Sequence, residues 1–185
     1  MGYALTLAVV VLSIAGLVTL YNRIVTLENR VENAWGQIDV QLRRRADLVP
    51  NLVATVEGYA AHEREAIEAV SNARRRMVDA SGPDEGATAA NELQRALGRV
   101  FAVGEAYPEL KADATFTDLQ AQLAEVEAKI AYARQFFNDA VLRFNDAIRT
   151  IPGVLLARPM GKRPHVYLEV DDATRAVPDA RVGDA

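Results

Sequence analysis

Three groups of residues in this sequence could do chemistry by type. They are the pair His62-Glu63, the serines Ser13, Ser71 and Ser81, and the arginine triplets Arg43-Arg44-Arg45 and Arg74-Arg75-Arg76. A zinc hydrolase of the His-Glu-x-x-His type wants a second histidine one helical turn on, but Arg64, Glu65 and Ala66 follow His62-Glu63. A carboxylate-bridged di-iron bundle wants Glu-x-x-His, and Tyr59 stands where that glutamate would be. No serine lies in a Gly-x-Ser-x-Gly elbow. Gly82 and Gly86 lack the lysine of a phosphate loop. The chain has no cysteine, which removes thiol nucleophiles, thiolate zinc sites, disulfides and a lipidated cysteine together. No catalytic, metal or cofactor residue is assigned, and a non-enzyme is expected. A net charge of -4 with no basic domain argues against a nucleic-acid partner.

The remaining chemistry is charge and amide pairing. Arg43-Arg44-Arg45 is the strongest charge run. It reads as an exposed helix face with ion pairs to Asp39 or Asp47, or as a partner-binding patch. Direct headgroup contact is disfavoured, because an upright helix puts Arg43 about 30 Å beyond Arg23 at ~1.5 Å per residue, and screening acts over ~8 Å. Arg74-Arg75-Arg76 reads as an exposed face. Glu125 and Lys129 have the spacing of an ordinary i,i+4 ion pair. Phe137-Asn138 and Phe144-Asn145 are one heptad apart, so both amides lie on one flank of a helix. They serve either core-edge packing with an amide hydrogen bond or a register or oligomer contact. The candidate interaction surface is therefore Trp35, Asp39, Arg43, Arg44, Arg45, Asp47, Asn138 and Asn145.

These residues sit on helices. Between Met1 and Asn22 no side chain is charged, and the apolar run from Tyr3 to Tyr21 includes Leu12 and Leu17. As a helix it spans about 28 Å, close to the ~30 Å hydrocarbon core. Tyr3 and Tyr21 fall where amphipathic rings favour the two interfaces. The alternatives are a cleaved signal peptide, which wants a basic start and a shorter core, or a buried soluble helix. A retained single-pass anchor is expected. Arg23 and Arg30 follow the run, so the bulk is expected in the cytoplasm with a short N-terminus outside. Ala4, Ala8, Ala15 and Gly16 would let neighbouring spans approach closely.

Beyond the anchor, Ile24, Leu27, Val31, Ala34, Ile38 and Leu42 recur at three- and four-residue steps, one stripe of a helix continuous with the anchor. Trp35 lies at its edge. Asp47-Leu48-Val49-Pro50 marks a pause, then a second helix from Pro50 to Asp79, or one helix kinked at Pro50. The cluster at 81–86 reads as a turn. A third helix is predicted over Ala87–Tyr107. A fourth, capped by Thr115 or Thr117, carries Phe116, Leu119, Leu123, Val126, Ile130, Ala133, Phe137, Ala140, Phe144, Ala147 and Ile151, and Pro152-Gly153 stops it. The fold expected is all-α: an N-terminal transmembrane helix continuing into an elongated antiparallel helical bundle. The expected divisions are an anchor over 1–22, a cytoplasmic bundle over 23–153, a packed extension over 154–170 and a tail of disorder-like composition over 171–185.

Several stretches together resemble the LemA family of bacterial membrane proteins. They are Ala34-Trp35-Gly36-Gln37-Ile38-Asp39-Val40-Gln41-Leu42, Asp47-Leu48-Val49-Pro50-Asn51-Leu52-Val53, Gly58-Tyr59-Ala60, Tyr107-Pro108-Glu109-Leu110, and the Phe137-Asn138 and Phe144-Asn145 pairs. The resemblance runs from Tyr21 to about Glu169, with phenylalanine at 137 and 144 where the family more often has tyrosine. It implies one span and a cytoplasmic helical bundle, and it transfers no catalytic residue. It also implies association with membrane organisation, membrane metalloproteases and envelope stress. The expected partners are the lipid bilayer, further copies of the chain and, as an alternative, a membrane metalloprotease.

Overall fold

A computed structural model describes residues 2–168, and all its regular elements are helices. They are α1 (Gly2–Tyr59), α2 (Arg64–Asp79), α3 (Gly82–Ala106), α4 (Pro108–Lys111), α5 (Ala114–Arg149) and α6 (Gly153–Ala157). Residues 162–168 close the described chain without regular structure. The tail expected over 171–185 lies outside the described residues.

Helix α1 has 58 residues, so it is about 87 Å long at ~1.5 Å per residue. Up to Thr19 its side chains are exposed, and Leu20 is the first to pack against the bundle. From Ile24 onward the predicted stripe is buried, and it continues through Ala46, Val49, Leu52 and Val56. Each such side chain is worth about 1.5–3 kcal/mol when fully buried. Helix α5 runs antiparallel to α1 and buries the opposing stripe, from Phe116 to Ile148. The α2–α3 hairpin covers the upper half of this pair. Tyr59 donates to Asp113 at 3.0 Å and Tyr107 to Glu63 at 3.0 Å, tying the far end together. The Asp113 carboxyl is held below its usual value, first by the Phe116 N–H and then by the Tyr59 hydroxyl.

Three boundaries and one buried face differ in detail from the sequence expectation. Of the two readings at Pro50, the helix that runs through it holds, but it stops at Tyr59 rather than Asp79. Proline removes the N–H that would satisfy the carbonyl four residues back. That carbonyl belongs to Ala46, and the Arg74 Nε donates to it at 3.0 Å from α2. A side chain from the next helix thus replaces the missing bond. We expect Arg74→Ala to cost about 1–3 kcal/mol for the orphaned acceptor, and much less in a Pro50→Ala background, where the restored N–H can reach Ala46. Chemical denaturation of the four proteins checks this; equal costs in both backgrounds would contradict it.

Helix α3 starts at Gly82 rather than Ala87. Gly82 adopts a positive φ, Pro83 opens the first turn, and the Glu85 carboxylate accepts the Ser81 N–H at 3.1 Å. The same residues that mark a turn also start a helix. Helix α5 is capped by Asp113, whose carboxylate accepts the Phe116 N–H at 2.9 Å, not by Thr115 or Thr117. Finally, the buried stripe of α5 passes through Val141 and Ile148, while Ala140 and Ala147 are half-buried and Ile151 is exposed. A straight helix drifts about 20° per heptad against a strict 3,4 count, enough to move the face over this length.

Candidate functional site

The predicted surface does not form one patch. Asp39 and Arg43 pair on the outside of α1 at 2.8 Å, and this bond holds the Arg43 guanidinium above its usual value, with Asp47 adding to it. Arg44 is exposed beside Glu125, whose carboxyl lies below its usual value mainly through Lys129. Trp35 is half-buried, edge-on to Phe137 at 6.1 Å and lying directly over Gly86.

Arg45 departs most from expectation: it is 1% exposed, at the centre of the bundle. One terminal nitrogen donates to Glu127 at 2.6 Å and Gln94 at 2.9 Å, and the other to the Ala90 carbonyl at 2.9 Å. Its Nε has no partner among the described residues. Burial pushes its pKa down and Glu127 opposes this. Arginine starts so far above neutrality that it stays charged. Arg45 therefore joins α1, α3 and α5 rather than presenting a surface.

Asn138 and Asn145 hold the chain's own C-terminal segment. Each amide makes a two-point bond to one backbone residue, Asn145 to the N–H and C=O of His165 and Asn138 to those of Leu168, all at 2.9 Å. Inward-facing Lys162, His165 and Leu168 recur every third residue. Three residues of extended chain reach at most about 10–11 Å and a heptad of α-helix advances about 10.5 Å, so the two repeats can match. Lys162 pairs with Glu28 and the His165 ring lies against Phe144 at 5.1 Å. We expect Asn145→Asp, which cannot donate to the His165 carbonyl, to cost about 1–3 kcal/mol. Amide hydrogen exchange at His165 should then speed up; unchanged protection would contradict the clamp.

The clamp covers one flank of the α1–α5 pair. The opposite flank is open and carries a second 3,4 stripe. On α1 it runs through Arg30, Asn33, Gln37, Val40 and Arg44, and on α5 through Glu125, Lys129, Tyr132, Phe136 and Arg143. Three clefts follow this seam, of about 580, 370 and 570 Å³. Tyr132 is 63% exposed and stacks edge-on against the exposed Phe136 at 4.8 Å. Beneath Val40 and Tyr132, the buried Gln41 Oε1 has no hydrogen-bond partner among the described residues. Sequence reasoning assigned Tyr132 and Phe136 no role. The signal was present: they repeat at heptad-like spacing one flank away from the buried stripe.

His62 is exposed in the turn between α1 and α2. Among the described residues, no three histidine, aspartate or glutamate side chains are grouped to hold a metal. The predicted anchor residues Tyr3, Leu12, Leu17 and Tyr21 are all exposed, on the one described helix long and apolar enough to cross a membrane.

An exposed apolar helix running without interruption into a helical bundle defines a membrane-associated helical protein. The chain belongs to the LemA family, whose model matches residues 34–181. It is also similar to the magnetosome protein MamQ of Magnetospirillum gryphiswaldense, at 27% identity over 89% of this chain and 72% of that protein. MamQ 1 and MamQ 2 of Paramagnetospirillum magneticum are each 27% identical over 86% of this chain and 68% of their own length.

Proposed function

We propose that this protein is a single-pass, non-enzymatic scaffold whose bundles pair laterally at the cytoplasmic membrane face, and so organise or remodel the membrane. The observation that carries this is the open α1–α5 flank. A seam with exposed Val40, Tyr132 and Phe136 and an orphaned amide oxygen has the make-up of half a helix–helix interface. Its charges run both ways, with Arg30, Arg44 and Arg143 against Glu125 and Asp139. With both copies anchored in one membrane the bundles stand parallel, and a two-fold axis along the membrane normal sets Arg44 of one copy level with Glu125 of the other, and Arg30 and Arg143 level with Asp139. The exposed anchor supports insertion in lipid, and Arg23 and Arg30 just after it support a cytoplasmic bundle. An uninterrupted α1 would hold the bundle upright on its span.

The chain has no cysteine, so single cysteines report cleanly. Tyr132→Cys and Phe136→Cys should each give a dimer-sized adduct on oxidation in native membranes, and Arg95→Cys on the outer side of α3 should not. Absence of adducts, with a monomeric mass in nanodiscs, would remove the proposal. A single foreign partner captured at Tyr132, such as a membrane metalloprotease, would replace the scaffold by an adaptor on the same surface.

A further inference from the structure

The lowest of the three clefts differs from the others in charge and position. It lies where α1 leaves its apolar run and where the α5–α6 turn comes back to meet it. Arg23, Thr26 and Arg30 of α1 line one wall, and Arg143 and Asp146 of α5, with Thr150 just after it, line the other. The three guanidiniums against one carboxylate leave an excess of about two positive charges in a cleft of about 580 Å³. None of the three arginines makes an ion pair among the described residues. In a protein of net charge -4 this is a local reversal of sign.

The rim of the cleft is apolar on the anchor side. Leu20 packs half-buried against the bundle and Ile151, in the α5–α6 turn, is 82% exposed. Both line the cleft together with Arg23, where the apolar run ends. The headgroup layer is roughly 5–8 Å deep on each side of the hydrocarbon. Arg23 falls within it, one residue beyond Asn22. Arg30 starts about 10.5 Å higher along the helix, and side chains on α1 lean back toward its N-terminus, which here is toward the membrane.

We infer that this cleft is a binding site for the headgroup of an anionic phospholipid. The phosphate is held by Arg23, Arg30 and Arg143, with the acyl chains leaving along Leu20, Ile151 and the anchor. Guanidinium groups suit a phosphate because each presents paired N–H donors. Thr26 lines the same cleft, and the Thr150 hydroxyl, which donates to the Asp146 carbonyl at 2.7 Å, can still accept from a glycerol hydroxyl. The ligand is a lipid rather than a soluble phosphate because the charged pocket opens onto exposed apolar side chains. The inference rests on α1 spanning a bilayer, as proposed above.

The test uses the purified full-length protein in mild detergent, titrated with phosphatidylglycerol or phosphatidylcholine of matched chains and read by native mass spectrometry. Wild type should prefer phosphatidylglycerol by about tenfold or more, because each well-placed basic side chain adds to the attraction for an anionic headgroup. Arg23→Gln/Arg30→Gln/Arg143→Gln should abolish the preference. Arg64→Gln/Arg95→Gln/Arg99→Gln removes as much charge elsewhere and should keep it, and circular dichroism verifies that both remain helical. No preference in wild type, or equal loss in both variants, overturns the site. Displacement of the lipid by an equal concentration of glycerol phosphate overturns its assignment to a lipid. Alkaline carbonate extraction reads the anchor separately: release of wild type from membranes defeats the spanning reading, whatever the titration shows.

Discussion

Glu127→Ala should destabilise the bundle more than Arg45→Met, although Arg45 is the larger and more buried of the two. Removing Glu127 leaves a guanidinium inside the bundle with Gln94 and the Ala90 carbonyl, two neutral acceptors, and an Nε that already has no partner. Breaking a fully buried pair in this way costs about 3–5 kcal/mol. Here the Glu127 side chain is 38% exposed, so water already screens the pair, and roughly 2–3 kcal/mol is expected. Removing Arg45 is different. Methionine fills similar space without charge, and Glu127 can turn to water. We expect about 1 kcal/mol or less from that exchange, since hydrophobic replacements of buried ions are often neutral. The double variant should return to the stability of Arg45→Met alone. Urea midpoints in detergent measure all three, and the reverse order would show that Arg45 is held by packing rather than by its charge.

Phe116→Ala should cost about 3–5 kcal/mol, the range for emptying a buried aromatic site. Phe116 is fully buried at the start of α5, edge-on to Phe101 at 6.4 Å. Its ring fills the space a side chain on Gly104 would need, because a Cβ there would come within 2.5 Å of it. Gly104→Ala alone should cost about 1–3 kcal/mol through overpacking. Combined with Phe116→Leu, the same alanine should cost less, because the shorter side chain gives way. Contacting residues typically couple by more than ~0.5 kcal/mol. Strict additivity in the double-mutant cycle would mean that α3 and α5 do not meet here.

Much of this was legible from spacing. The all-α fold, the long apolar start of α1, its continuity into the bundle and most of the inner face of α5 follow from where apolar residues recur. Arg45 shows how a correct pattern can be stopped too early. Counting on from Ile38 and Leu42 by the same steps gives Arg45, Val49, Leu52 and Val56, and all four are buried. The charge of Arg45, together with its two neighbouring arginines, suggested a surface, but the periodicity placed it inside. Pro50 left two readings open, a new helix or one helix running through it. A local rule ends helices near proline, and only the fold brings Arg74 to the carbonyl that proline strands. The asparagines were placed correctly on one flank. Their partners were not legible, because the segment they hold has no helical period and lies 20 and 30 residues away.

The claim that α1 carries one stiff helix from lipid into the bundle is tested most directly by a nitroxide on Leu12→Cys in the full-length protein, reconstituted in bilayers. A second label on Arg95→Cys gives the aqueous reference. The spin at position 12 should relax strongly with dissolved oxygen and little with a water-soluble nickel chelate, and the spin at position 95 should do the opposite. A spin at position 12 as open to the nickel chelate as that at position 95 would contradict the account.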